Sequence, residues 1–170
     1  MAIAWTTYRL LCCLTPELEP ERCAFDAANA RFAERVTMPE GILFALASPR
    51  SDFNPQINRN GLESNIRFCD FFVQIFGEAA PDPAFRDFVN LGIACAVDPA
   101  FPLRSTVVLF RNPENAAEPT AAFREELRGN PHCTVHDFHD STYIDALAET
   151  ILSDWHAMLQ EPVQTRSATG

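Results

Sequence analysis

Five short, largely apolar runs, each followed by a longer stretch of mixed polarity, constrain the fold of this chain more than any other feature. They cover residues 8–14, 42–47, 71–76, 106–110 and, most weakly, 132–138. A strand that stays apolar at successive positions has both faces covered, the condition of a parallel sheet flanked by helices. The spacing between runs is too long for hairpins and suits helical crossovers. The pattern predicts an α/β fold, a flavodoxin-like three-layer sandwich with a five-stranded parallel sheet. In such a fold the binding crevice opens at the carboxyl ends of the strands, where the strand order reverses, so binding residues are sought just after the apolar runs.

Local chemistry marks the helix starts. Pro20, before Glu21 and Arg22, suits a first helical position, and Asn54 followed by Pro55 reads as an N-cap and N1 pair. The last helix follows Asp140, Ser141 and Thr142, with Tyr143, Leu147, Ile151, Trp155 and Met158 recurring as a core stripe. The prolines at 81 and 83, 99 and 102, and 113 and 119 are expected in connections. One domain over residues 1–160 accounts for the pattern, and residues 161–170, which lack periodicity, are expected to form a flexible C-terminal tail.

Composition narrows the function classes. The chain has 170 residues and a formal net charge of -10, a balance that repels nucleic acid and anionic membranes. All 13 basic residues are arginine, so Schiff-base chemistry, a lysine general base and a Walker A lysine are excluded. The cysteines (Cys12, Cys13, Cys23, Cys69, Cys95 and Cys133) lie mostly in apolar runs without C-x-x-C spacing and read as buried free thiols. No apolar run reaches transmembrane length and no secretion signal is visible, so the expected location is the cytoplasm.

Three segments carry a family resemblance. Cys12, Cys13 and Leu14 lead through Thr15 and Pro16 to an acidic-leucine step, Glu17-Leu18, and then to Glu21-Arg22 opening a helix. Gln56, Ile57 and Asn58 precede a helix end at Ile66-Arg67-Phe68, the pair Cys69-Asp70, an apolar strand and Gly77. Phe88, Val89, Asn90, Leu91, Gly92, Ile93 and Ala94 are similar to the Glu-x-Gly-x-Ala helix of nucleoside 2-deoxyribosyltransferases. The chain thus resembles the TIR-like and nucleoside 2-deoxyribosyltransferase-like superfamily over residues 8–159. The resemblance implies a nucleotide or nucleoside ligand, NAD as ligand or substrate rather than as cofactor, and a setting in bacterial defence or signalling. It also implies a catalytic glutamate where this chain has Asn90, which can hydrogen-bond a ribose hydroxyl but cannot ionise.

The candidate catalytic positions are therefore Asn90 and, as the best substitute acid, Glu78; the candidate binding residues are Thr15, Ser48, Arg50, Gly77 and Arg111. Arg50 and Arg111 follow strands, where a guanidinium can take a phosphate in two hydrogen bonds, though a surface arginine paired to an acid reads as well. Gly77 suits a tight turn. His132, Cys133, His136 and His139 invite a zinc reading, but alternation on a strand separates Cys133 from His132 and His136, and solvated edge-strand histidines are the expectation, with no metal. Three functions follow: a binding or signalling domain without glycosidase activity, an active N-glycosidase using Glu78 or another acid, and a protein-association module, as a homo-oligomer or with another protein, for which the aromatics Phe85 and Phe101 are the motivation.

Overall fold

A computed structural model of the chain describes residues 4–49 and 54–161. Five strands, β1 (Thr6–Leu14), β2 (Ile42–Ala47), β3 (Phe71–Phe76), β4 (Ser105–Arg111) and β5 (Thr134–Phe138), pair in the order β2-β1-β3-β4-β5, all parallel. Helices α1 (Glu19–Phe32) and α5 (Ser141–Gln160) cover one face; α2 (Arg59–Phe68), α3 (Pro83–Val97) and α4 (Glu118–Arg128) cover the other. The result is the expected flavodoxin-like three-layer arrangement.

β3 explains the apolar runs. All six of its residues are buried, with Phe71, Val73 and Ile75 in the core under α1 and α5, and Phe72 and Phe76 in the core under α2, α3 and α4. Fully burying one such side chain contributes about 2 kcal/mol. Phe71 stacks on Trp155 of α5 at 4.9 Å between ring centroids, and Phe76 on Phe110 of β4 at 5.3 Å. The edge strand β2 differs: its Leu43, Ala45 and Ala47 face outward, because α2 is short and packs against α3 instead of over β2.

Several local expectations need correction. The stripe of α5 holds at Ile151 and Trp155, with Leu147 packed against the same core, but its two ends differ: Tyr143 and Met158 are exposed, and Ile144, Ala148 and Leu152 are buried beside the expected positions. Asn54 caps a turn and not α2, its Oδ1 accepting from the N–H groups of Gln56 and Ile57, while α2 starts at Arg59 after the N-cap residue Asn58. Pro83 and Pro119 lie in the first turns of α3 and α4, where their missing N–H costs nothing. β5 starts at Thr134, after a turn in which Asn130 accepts from the N–H groups of His132 and Cys133. Phe85 is fully buried and Phe101 packs against the same core, so neither offers a docking surface. No described helix is long and apolar enough to cross a membrane.

Candidate functional site

The strand order reverses between β1 and β3, and the exits of these two strands are stitched together. Thr15 donates its N–H to Ile75 O at 3.2 Å, and its Oγ1, on a side chain 2% exposed, accepts from Gly77 N at 3.3 Å. Gly77 does not adopt a left-handed backbone; the Glu17 carboxylate lies where its Cβ would be. Between the two exits opens a cavity of about 500 Å³, lined by Thr15, Pro16 and Glu17 after β1, Asn54, Pro55 and Gln56 beyond β2, and Ala79, Ala80, Pro81, Asp82 and Phe85 after β3. This is the crevice that a doubly wound sheet places at its switch point.

Two acids, Glu17 and Asp82, face this cavity, and among the described residues no cation lines it. Asp82 is the N-cap of α3, accepting from Ala84 N at 2.9 Å and from Gln56 Nε2 at 2.9 and 3.0 Å. The hydrogen bonds from Gln56 and Ala84 hold its carboxyl below the usual range. Glu17 is exposed and forms no ion pair among the described residues.

The opposite side of the β3 exit is closed by charge. Arg111, at the end of β4, donates from Nε and Nη2 to Glu78, with the Nη2 bond at 2.8 Å, and from Nη1 to Glu21 Oε1 at 2.8 Å. Glu21, in the first turn of α1, is 2% exposed, and its Oε2 has no hydrogen-bond partner. Asn112 adopts a left-handed backbone (φ 43°), which asparagine tolerates better than most residues, and donates from Nδ2 to Glu78 Oε1 at 2.6 Å. Its Oδ1 lies 3.2 Å from His139 Nδ1. The Arg111 hydrogen bonds, helped by Asn112, pull the Glu78 carboxyl down to about 2.

The remaining expected residues scatter. Ser48 is half-buried and lines a neighbouring cavity of about 490 Å³ with Ile57, Asn58 and Gly61, between the β2 exit and α2. Arg50 lies outside the described residues. Asn90 stands on the solvent face of α3 and lines none of the cavities described here. The reason is helical phase: Gly92 is buried where a Cβ would strike the Phe72 ring, and a residue two positions earlier points away from that contact. His132 and Cys133 line a groove before β5, whereas His139 sits beyond its far end beside Asn112. Among the described residues no group of three or more His, Cys, Asp or Glu is arranged to hold a metal.

All six cysteines are free, with Cys12, Cys13, Cys69 and Cys95 buried. Burial pushes the Cys69 thiol up to about 12 and Cys133 to about 11, so neither is a nucleophile at neutral pH.

Glu17, Glu21, Asp82 and Asn112 give the site its character, and none was singled out from the sequence as a site residue. Glu21 and Asp82 look like ordinary helix-start acids, a role favoured by the helix dipole. Asn112 had a legible signal, an asparagine between a strand and a proline. The predicted ligation of phosphate by Arg111 meets a guanidinium already bound on both sides by carboxylates. No model of a known protein family matches the chain, and no curated protein matches it.

Proposed function

We propose that this chain is a ligand-binding domain of the TIR-like and nucleoside 2-deoxyribosyltransferase-like kind, which receives the sugar-bearing part of a nucleoside-type molecule in the crevice between β1 and β3. Occupancy, rather than cleavage through residue 90, is its output. The observation that carries this reading is the cavity of about 500 Å³ at the switch point, a size suited to a small organic ligand. The two positions that a glycosidase reading nominates from the sequence are poorly placed to react: Asn90 is neutral and turned to solvent, and Glu78 is held by Arg111 and Asn112. Calorimetric titration with nucleosides and NAD, run beside an assay for released base or nicotinamide, tests it. Saturable micromolar binding without product is expected, and rapid product release would sink the non-catalytic reading.

One observation favours a second reading, an N-glycosidase. Glu17 places a carboxylate in the crevice with no ion pair among the described residues, and such a group can attack or stabilise an anomeric carbon. If turnover is found, Glu17→Gln abolishes it while Glu78→Gln leaves the rate at least partly intact; the opposite pattern would return the chemistry to Glu78.

A further inference from the structure

Phosphate is recognised in folds of this class by exposed guanidinium groups and by the free N–H groups at helix N-termini. Beside the crevice, the N-terminus of α3 and the guanidinium of Arg111 are already taken by the chain's own acids, whereas α2 begins beside the neighbouring cavity without an acid in its first turn. The N-terminus of α3, which borders the crevice, is capped by the Asp82 carboxylate. The first turn of α1 carries Glu19 and Glu21; Glu19 is bound by Arg22 and Glu21 by Arg111. Arg111 is shared between Glu21 and Glu78. Among the described residues the arginines outside any ion pair are Arg9 and Arg104. Both belong to the amino-terminal side of the sheet: Arg9 N donates to Asp70 just before β3, and Arg104 N donates to Asp70 O just before β4. The crevice itself adds Glu17 and Asp82, on a chain of net charge -10.

We infer that the crevice selects a phosphate-free ligand, a neutral or cationic nucleoside, and rejects nucleotides. This rests on the reading of the crevice as a nucleoside-type site and fixes the charge of what enters it. Hydroxyl groups of a sugar donate to the Glu17 carboxylate, and a positive charge on the base is attracted by the same field that repels a phosphate.

The test titrates the full chain with three probes that share one base: nicotinamide riboside, a cation without phosphate; its 5′-monophosphate; and NAD. At low ionic strength the riboside is expected to bind at least about tenfold more tightly than either phosphorylated probe. Raising the salt shortens the Debye length from about 30 Å at 0.01 M to about 8 Å at 0.15 M, so the phosphorylated probes gain affinity while the riboside loses some. A Glu17→Gln, Asp82→Asn double substitution narrows the gap at least about fivefold, since the amides keep the shape and hydrogen-bonding reach of the acids. Equal or tighter binding of the monophosphate or NAD overturns the inference while leaving the crevice reading intact, and would direct attention to Arg50. If none of the three binds, the crevice reading itself fails, and the inference with it.

Discussion

Two acids approach Gly77 from opposite sides, and the regions they belong to have opposite physics. On the β3–β4 side Glu78 is clasped by Arg111 and Asn112, and the arginine is anchored in turn on the buried Glu21. On the β1–β3 side Glu17 lies across Gly77 beside an open cavity, outside any ion pair among the described residues. The first arrangement holds its two carboxylates on one shared guanidinium and therefore acts as structure; the second leaves its acids without a cation among the described residues and is the side on which a ligand changes the energy. A list of polar residues following strands does not separate the two, because the distinction lies in who neutralises whom.

The largest effect is expected from breaking the closed side. Arg111→Leu leaves Glu21 buried without its counter-charge and should cost about 3 to 5 kcal/mol in chemical denaturation. Adding Glu21→Gln should recover part of that loss; a double variant no more stable than Arg111→Leu would mean that charge is not what holds this side together.

A smaller loss should follow from Gly77→Ala on the open side. The new methyl would meet the end of the exposed Glu17 side chain, which can swing aside, so the cost should stay below about 1 kcal/mol, and Glu17→Ala in the same chain should relieve it. Absence of such coupling in a double-mutant cycle would place Glu17 elsewhere in solution.

Acid should loosen the closed side in a defined window. The Glu78 carboxyl, ordinarily near 4.5, is lowered to about 2 in the folded chain, so its stabilisation is fully present above 4.5 and is lost as the pH falls through about 2. Thermal melts of the parent and Glu78→Gln should differ least at the acid end of that range; a constant difference from neutral pH down to 2 contradicts the assignment.

The smallest effect belongs to residue 90. Asn90→Glu changes an exposed helical position and should shift stability by no more than about 0.5 kcal/mol. It should also create no glycosidase activity, because the carboxylate would face solvent; gain of turnover would bring α3 into the site.

The fold was legible because burial on both faces of a strand leaves a largely apolar run. The run at residues 71–76 coincides with β3, which is buried on both faces; the run at 42–47 coincides with β2 although one face of that strand is open. Helix faces were less legible. Tyr143, Ile144, Leu147 and Ala148 all offer apolar surface at helical spacing, and only packing decides that Ile144 and Ala148 go inside. The site was legible as a location and not as chemistry. Thr15 and Gly77 do meet at the switch point, yet whether Arg111 is free to take a ligand depends on Glu21, 90 positions away in sequence, and no local motif encodes that pairing. Asn90 illustrates the converse, since a motif on a helix carries no statement of its phase relative to the sheet.

One side-chain amide spans the mouth of the crevice. Gln56 belongs to the chain beyond β2, Asp82 to the start of α3, and two short hydrogen bonds are all that this amide contributes to keeping them together. Asp82 Oδ2 accepts from Gln56 alone, so the carboxylate keeps capacity for a guest's hydroxyl or cationic group while the turn stays fastened.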